Sequence, residues 1–377
     1  MNRRSFVLAL GAALASGHAR ADRPQPVYIS AIADGAERGE HAVAAFTGEG
    51  RLLFSTRLPA RGHDIVARPD SREVVVFARR PGNWAAIVDR ASGQVLRVIT
   101  TPPDRHFFGH GAFSPDGNLL YATENRIGAG HARVGEGVLG IYDAASAYAR
   151  VDERPTFGLG PHDLLLLPGR GSRMLVANGG TLTQPGTGRE VLNPEAMEPS
   201  LAVVDLSTGD AIRTVDLGRE MRALSIRHLA LAPDGEAAFA CQWAGDDGEA
   251  PPLVGLLAPN GGVRMLEAPE DDLALLRGYV GSVALDASGR IVAATSPKGG
   301  AVAFWERASG RYLGLRRMPD VCGISSETGG RGDAHAFIVT SGNAGVATIS
   351  ALDGSALRRF GGADLAAPVW DNHLVAL

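Results

Sequence analysis

Four histidines occupy equivalent positions in a repeating unit of this 377-residue chain. Each stands just before an apolar run that ends in a turn built from proline with aspartate or glycine, and random scatter would not keep that spacing. The four are His63, His110, His162 and His228, and their turns are Arg68–Asp70, Ser114–Gly117, Leu167–Gly169 and Ala232–Gly235. Neutral imidazole is a common ligand of iron, copper and zinc. The repeat therefore predicts a transition-metal site, provided that the fold brings the rings together.

A second turn pattern recurs seven times between short apolar segments and consists of an acid, small polar residues and glycine. Clear copies begin at Asp89, Asp143, Asp205, Glu306 and Asp353, and looser copies lie near Gly50 and Asn260. Side-chain acceptors and a glycine with positive φ suit β-hairpins. The hairpins recur every 43 to 62 residues or so, about the length of a four-stranded propeller blade. We therefore expect an all-β fold, a single seven-bladed β-propeller with YVTN/WD-like blades, over residues 22–377.

The blade that contains the hairpin near Gly50 has only two apolar segments before that turn, at residues 27–33 and 41–46, and so lacks an innermost strand. The C-terminal segment Asn372–Ala376 can supply it, which closes the ring and removes open sheet edges. Closure adds His373 to the set. Five of the seven innermost strands then begin with histidine, and the other two begin at Ser282 and Cys322.

The histidines fall into two phases relative to their turns. His110 and His228 lie five residues before the proline, whereas His63 and His162 lie six residues before it. In a regularly alternating strand this difference could send two rings toward the neighbouring blade instead of the axis, and the sequence leaves the direction open.

Three uses of the five histidines stay open from sequence. The rings could bridge neighbouring blades, hold a transition metal or haem iron, or line a polar ligand-binding or catalytic pocket. Asp64 and Asp163 directly follow two of them and could accept the second ring N–H, as carboxylates do beside metal ligands. Arg61 and Arg227 lie near the same mouth, where they suit an anionic ligand or an inter-blade salt bridge.

Other chemistry finds little support. Cys241 and Cys322 form no Cys-x-x-Cys-His motif, which excludes covalent c-type haem, and their apolar contexts favour buried free thiols while leaving a disulfide open. Gly135–Gly140 is not a dinucleotide-binding fingerprint, and there is no nucleophile-elbow motif. Lys298 is the only lysine and the arginines are dispersed, so we expect no nucleic-acid partner. After the N-terminus no apolar stretch reaches the roughly 20 residues of a membrane span.

The N-terminus resembles an export signal. Arg3 and Arg4 precede a short Ala/Gly/Leu stretch, and Ala19–Ala21 reads as a cleavage site. The arginine pair followed by Ser-Phe predicts a twin-arginine signal peptide over residues 1–21 and a periplasmic protein; a general secretory signal is the alternative. Its removal changes the net charge from −4 to −7 because the segment contains three arginines and no acid.

Several motifs spread over the chain carry a family resemblance. They are Phe108–Gly117, Thr123–Asn125, Gly158–Asp163, Ala177–Gly180, Leu192–Asn193, Pro199–Leu201, Leu224–Leu229 and Ser296–Gly300. The chain resembles the twin-arginine-exported bacterial propellers known as domain-of-unknown-function family fifteen-thirteen. That resemblance implies periplasmic handling of iron or a related metal, with imelysin-like and di-haem proteins as partners. It implies no catalytic residue.

We expect a monomeric periplasmic binding or scaffold protein of a metal-acquisition system, with Fe, Cu or Zn held by His63, His110, His162, His228 and His373. The alternative is an enzyme at the channel mouth, either a metal-dependent oxidoreductase or a lactonase-like hydrolase. An enzyme would need at least three of the rings near one point with a pocket above them.

Overall fold

A computed structural model describes residues 26–33, 40–80, 82–127, 135–169, 172–188, 190–328, 334–352, 357–360 and 362–377. The export signal predicted for residues 1–21 and the hairpin predicted at Asp353 lie outside the described residues.

Seven antiparallel sheets form a ring, six with four strands and one whose fourth, innermost strand is split into two short pieces, which confirms the predicted seven-bladed β-propeller. The N-terminal strands belong to the blade that closes the ring: β1 (Val27–Ala33), β2 (His41–Thr47) and β3 (Leu52–Arg57). Blade 1 consists of β4 (Gly62–Ala67), β5 (Glu73–Ala78), β6 (Trp84–Asp89) and β7 (Val95–Thr100). Blade 2 consists of β8 (Arg105–Phe113), β9 (Leu119–Arg126), β10 (Glu136–Asp143) and β11 (Ala149–Leu159).

The remaining complete blades follow the same order from the axis outward. Blade 3 consists of β12 (Pro161–Leu166), β13 (Arg173–Asn178), β14 (Ser200–Asp205) and β15 (Ala211–Asp216). Blade 4 consists of β16 (Leu224–Leu231), β17 (Ala237–Trp243), β18 (Val254–Leu257) and β19 (Val263–Met265). Blade 5 consists of β20 (Ser282–Leu285), β21 (Ile291–Ser296), β22 (Ala301–Glu306) and β23 (Tyr312–Arg317). Blade 6 consists of β24 (Val321–Ser326), β25 (Ala336–Ser341), β26 (Gly345–Ser350) and β27 (Leu357–Arg359).

The C-terminus closes the ring as the sequence predicts, but with a broken strand. β28 (Val369–Trp370) and β29 (Val375–Ala376) both pair with β1, and the four residues between them are buried. Trp370 packs edge-to-face on Phe46 with ring centroids 5.3 Å apart. The interruption matters because it contains His373.

Burial explains why these segments form the blades. β5 is buried from Val74 to Ala78 because adjacent blades cover both faces of the middle strands, whereas β3 alternates between half-buried and exposed positions. The predicted hairpin chemistry is present: in the turn after β6, Asp89 accepts the backbone N–H of Ser92 at 2.8 Å and Gly93 has a φ of +75°. The core therefore lies between blades, and the axis is lined by innermost strands.

Two short α-helices, α1 (Glu270–Leu275) and α2 (Ala363–Ala366), and three single-turn 3-10 helices supplement the strands in the described part of the chain. No helix among those residues is long and apolar enough to cross a membrane. Cys241 and Cys322 are both buried and unbonded, which confirms the expectation of free thiols.

Candidate metal centre

The propeller brings all five predicted histidines together at the axis. They come from β4, β8, β12, β16 and the segment between β28 and β29, and each is at most 8 % exposed. His110 is central: its ring centroid lies 5.0 Å from that of His63, 4.8 Å from His162, 5.7 Å from His228 and 4.7 Å from His373. The five imidazoles thus form one cluster that joins the closing blade to blades 1 to 4.

The two rings that regular alternation could send toward the neighbouring blade also lie in the axial cluster, and β-bulges are the reason. The register of each histidine strand shifts at or beside the histidine, so that His63 and Asp64 together lie opposite a single residue of β5. A similar shift falls at His162 in β12 and just before His228 in β16. A bulge breaks the simple alternation of side chains and re-aims them. Histidines of both phases can therefore reach the axis.

In β8 the bulge is larger and depends on a glycine. Phe107 and Gly111 pair with residues of β9 that are only two apart, which leaves three β8 residues, including His110, in the bulge. The Thr123 hydroxyl fixes this bulge because it donates to the His110 carbonyl at 3.2 Å. Gly109 has a φ of +106°, and a Cβ there would lie 2.8 Å from Cδ2 of His63. Glycine at this position therefore lets the His63 ring approach His110.

Two carboxylates flank His110, one from each neighbouring blade. Its Nδ1 lies 3.4 Å from Oδ2 of Asp64 in blade 1 and 3.4 Å from Oδ1 of Asp163 in blade 3. Asp64 also lies 3.8 Å from Nδ1 of His373, and Asp163 accepts the backbone N–H of Leu229 at 2.9 Å. The acids singled out from sequence are thus at the site, but they contact histidines of other blades.

Sequence reasoning missed a third acid, Asp371, which serves His63. Its carboxylate lies 3.3 Å from Nδ1 of His63, accepts a hydrogen bond from Nε of Arg61 at 2.6 Å and another from Nη1 of Arg79 at 3.0 Å. From sequence, Arg61 could bind an anionic ligand or form a salt bridge between blades. The contact with Asp371 is such a salt bridge. Asp371 could have been identified from sequence by its position two residues before His373.

The supporting arginine of blade 4 is also at the cluster. Arg227 is buried beside His228, and its positive charge contributes to lowering the pKa of both His162 and His228.

Several ring nitrogens of the cluster have no hydrogen-bond partner among the described residues. They are Nε2 of His110, Nδ1 of His162, both nitrogens of His228 and Nε2 of His373, and all are buried. An unsatisfied buried polar atom costs roughly 1–3 kcal/mol. A bound metal ion would coordinate such nitrogens and remove this cost. Their grouping at one place therefore fits a metal site.

Two overlapping triads have suitable ligand spacing. One comprises His63, His110 and His373, the other His110, His162 and His228, and within each triad the ligand atoms lie within 4.8 Å of one another. Bonds of about 2.05 Å to a tetrahedral ion place nitrogens about 3.3 Å apart. To bind one ion, the ligand nitrogens of a triad would have to approach one another by at most about 1.5 Å. Rotation of the side chains can supply that movement.

The charge state of the cluster is uneven. Burial and the neighbouring rings hold the pKa of His63, His162 and His228 well below the usual value, and burial with the charge of His110 lowers that of His373 to about 4. Burial also opposes the charged form of His110, but Asp163 and Asp64 outweigh it and raise its pKa to about 9. At neutral pH four rings are therefore neutral, as ligands must be, and one is an imidazolium.

A small cavity adjoins the cluster. Its volume is about 60 Å³, and it is lined by His63, His162, His228, Arg79, Arg80, Gln242, Tyr279 and Asn372. A larger cleft of about 750 Å³ lies on the rim beside Phe157 and Arg219, and none of the five histidines lines it. The cavity that could serve the cluster is thus the small one.

Comparisons with known proteins place the chain in a family and a fold. Residues 56–377 match the profile of a family described as "Protein of unknown function (DUF1513)". No curated protein matches the sequence. Among solved structures, Kuenenia stuttgartiensis hydrazine synthase is similar with a TM-score of 0.62 and 14% sequence identity, over 90% of this chain and 99% of that chain. Similarity at that identity concerns the propeller fold alone.

Proposed function

Because the chain belongs to the DUF1513 family, a family of unknown function, its role must be inferred from its site, and we propose that it binds a first-row transition-metal ion with its axial histidines. Imidazole nitrogen suits zinc, copper, iron and nickel. The observation that carries the proposal is the accumulation of buried ring nitrogens without hydrogen-bond partners at the meeting point of two histidine triads.

A purely structural use of the rings explains the geometry less well. Histidines that only bridge blades would have their nitrogens hydrogen-bonded to carbonyls or acids, since buried polar atoms are nearly always paired. His110 and His63 do contact acids through Nδ1, but both nitrogens of His228 lack a partner among the described residues. Metal binding gives those nitrogens a function.

The hydrolase alternative is disfavoured by the size of the cavity. Sites for small organic molecules usually occupy about 300–1,000 Å³, whereas the cavity beside the histidines has a volume of about 60 Å³. That volume is several-fold below this range. We therefore favour a metal-binding role over a lactonase-like activity.

The proposal extends to the cellular role. We place the protein in the periplasm, exported through the twin-arginine signal of residues 1–21, as a metal-binding or scaffold component of a metal-acquisition system, with iron as the favoured cargo. Imelysin-like and di-haem proteins are the partners suggested by the family resemblance. Replacement of both Arg3 and Arg4 by Lys tests the route, because twin-arginine export should stop and general secretion should continue.

Metal analysis is the direct test of the central claim. Protein purified from the periplasm should contain close to one equivalent or more of iron, copper or zinc, and the chelator-treated protein should rebind the same metal. The combined substitution His110→Ala, His162→Ala and His228→Ala removes one complete triad and the shared ligand of the other. His106→Ala is the matched control, because His106 is a buried histidine of the same β8 strand whose Nδ1 contacts the Phe107 carbonyl instead. Metal content that is low in the wild type and equal in the triple variant would contradict the proposal.

A further inference from the structure

We infer that one metal ion is held by all five axial histidines, with His110 at the apex of a square pyramid and a sixth coordination position open to a small neutral molecule. The inference rests on the proposed metal site and adds to it a coordination geometry, a class of ion and an exchangeable ligand. That ligand is water or a diatomic molecule that replaces it. The order in which the five rings contact one another carries the inference.

Four of the rings form a closed circuit, and His110 contacts every member of it. The centroid separations around the circuit are 6.1 Å between His63 and His162, 4.8 Å between His162 and His228, 4.9 Å between His228 and His373, and 4.5 Å between His373 and His63. The centroid of His110 lies between 4.7 and 5.7 Å from those of all four. Four corners, and one point in contact with every corner, have the connectivity of a square pyramid.

His110 lies outside the plane of the other four rings. In the order of the blades it falls between His63 and His162, and in a flat ring of five it would be far from His373. Its centroid is instead closer to that of His373, at 4.7 Å, than to that of His63, at 5.0 Å. The three-residue bulge of β8 explains this position, because it takes the His110 side chain out of regular alternation.

The separations match five rings bound to one ion. With metal–nitrogen bonds of about 2.1 Å, imidazoles at right angles around an ion have centroids about 4.6 Å apart. The widest separation in the circuit is 6.1 Å, so that pair would approach by about 1.5 Å on binding. Closing either triad requires a movement of the same size.

Every ring of the set has a nitrogen available for the ion. Nδ1 of His63, His110 and His373 faces a carboxylate, which leaves Nε2 of these three rings for coordination. His162 and His228 each have a buried nitrogen without a hydrogen-bond partner among the described residues. Coordination by all five rings therefore breaks none of the carboxylate contacts.

Five nitrogen donors favour an ion that accepts more than four ligands. Zinc is almost always four-coordinate in structural sites, so one triad and a further ligand would satisfy it. A tetragonal set of nitrogens suits copper(II) or nickel(II), and iron(II) keeps open positions beside its histidine ligands in non-haem oxygenases. Iron is the cargo that the proposed function favours, so we expect Fe²⁺ to engage all five histidines and zinc to engage one triad.

The small cavity lies at the base of the pyramid, on the side away from His110. Its lining includes three basal histidines, His63, His162 and His228, and Asn372, which directly precedes the fourth, whereas His110 is not among the described residues that line it. An ion at the centre of the base therefore has its position opposite His110 facing this cavity.

The cavity suits a small neutral ligand. A water molecule in the liquid occupies about 30 Å³, so a cavity of about 60 Å³ takes about two. The arginines of the lining already make contacts of their own, Arg79 with Asp371 and Arg80 with Thr183. We therefore expect water at the open position of the ion, replaced by a diatomic molecule when one is supplied.

Nitric oxide tests the open position. The metal-free protein is loaded anaerobically with ferrous ammonium sulfate, freed of excess iron by gel filtration and titrated with nitric oxide, which forms a paramagnetic nitrosyl complex at an open position of ferrous iron. We expect an electron paramagnetic resonance signal that saturates at one nitric oxide per bound iron. Failure to retain either iron or zinc would overturn the proposed metal site itself. Retained iron without a nitrosyl signal would overturn the open position and leave the metal site standing.

The number of histidine ligands is tested with two metals. X-ray absorption of the iron protein should show five imidazole ligands, and three would overturn the pyramid. His373→Ala leaves the triad of His110, His162 and His228 complete, so zinc affinity should fall little. Fe²⁺ affinity should fall roughly 100-fold or more, because loss of a group that only orients a ligand already costs about 10- to 100-fold. His106→Ala is the control for both metals, and equal losses of iron and zinc affinity in His373→Ala would contradict the five-histidine geometry.

Variants of Gln242, a residue of the cavity lining, test which side of the ion is open. Gln242→Phe places a bulkier side chain in the cavity and should abolish the nitrosyl signal while the iron content stays the same. Gln242→Ala, which enlarges the cavity, should keep the signal. A full nitrosyl signal in Gln242→Phe would show that the open position does not face this cavity, and the wild-type titration decides whether an open position exists without any variant.

Discussion

Nδ1 of His110 lies 3.4 Å from a carboxylate oxygen of Asp163, an acid supplied by the next blade. A carboxylate in this position fixes the ring orientation and directs Nε2 of His110 toward the other histidines. Such acids raise the basicity of a ligating histidine, and their removal typically costs 10- to 100-fold in metal affinity. The contact therefore couples the geometry of blade 3 to a ligand that belongs to blade 2.

Replacement of Asp163 by Asn should weaken zinc binding by roughly 10- to 100-fold. The amide keeps an oxygen for the Leu229 N–H but loses the negative charge beside His110. Competition titration with a zinc-binding dye measures the affinity, and Asp210→Asn, at an exposed acid of the same blade, is the control. An affinity equal to that of the wild type would show that Asp163 does not act through His110.

Removal of the shared ligand should have a larger effect than removal of any other histidine of the cluster. His110 belongs to both triads, so His110→Ala should abolish high-affinity binding, whereas His63→Ala or His228→Ala leaves one triad complete. Calorimetric titration with zinc should show at least a 100-fold loss for His110→Ala and smaller losses for the other two. Equal losses for all three variants would contradict the assignment of a shared ligand.

The sequence predicts the fold more completely than the site. Turn chemistry and hairpin spacing recur along the chain, so seven blades and closure by the C-terminal strand follow from local patterns. The direction of the histidine side chains does not, because it depends on register shifts such as the one between Gly62 and Ile65, and a bulge is set by pairing with the next strand. Regular alternation therefore gives the wrong direction for two rings.

The partners of the rings are likewise a product of tertiary structure. Asp64 and Asp163 follow histidines in sequence, which drew attention to them, yet they contact the rings of other blades. Asp371 and Arg79 are 292 residues apart in the chain and meet only because the ring closes. Contacts between residues so far apart leave no local pattern in the sequence. The sequence could therefore indicate Asp64 and Asp163 as site residues but not which rings they contact.

Asp371 should stabilise the metal-free protein in a pH-dependent manner. Burial alone would raise its pKa, but the hydrogen bond with His63 and the charges of Arg79 and Arg61 hold that pKa well below the usual value. Stabilisation by a carboxyl group whose folded-state pKa is depressed is present above the unfolded pKa of about 4 and is lost as pH falls toward the folded-state pKa. Asp371→Asn should therefore lower the free energy of unfolding by about 3 kcal/mol at pH 7.

Urea denaturation from pH 7 down to pH 3 tests this dependence. The difference between the wild type and Asp371→Asn should shrink as the pH falls below about 4, because the carboxyl group of the unfolded wild type then binds a proton while that of the folded protein stays ionised. Asp271→Asn, an exposed acid in α1, should change stability by less than about 0.5 kcal/mol throughout. A difference for Asp371→Asn that is constant with pH would show that charge is not the origin of the stabilisation.

Zinc binding at pH 6.5 should release about one proton, and that proton should come from His110. The pKa of His110 is raised to about 9 by Asp163 and Asp64 against the effect of burial, so the ring is charged at this pH, whereas His373, with a pKa of about 4, is neutral. A histidine must lose a proton to ligate through Nε2, and metal binding is linked to pH by the number of protons displaced. The affinity should therefore rise about tenfold per pH unit below about pH 7, where His110 supplies the only displaced proton. Calorimetric titration in buffers with different ionisation enthalpies measures the number of protons released. At pH 6.5 ionisation of metal-bound water, whose pKa is about 7, is limited.

The Asp64→Asn, Asp163→Asn double variant is the control. In it His110 loses both charges that raise its pKa, so the proton released by the wild type should not be released. Release of two or more protons by the wild type would mean that other rings of the cluster are charged before the metal binds, contrary to their burial.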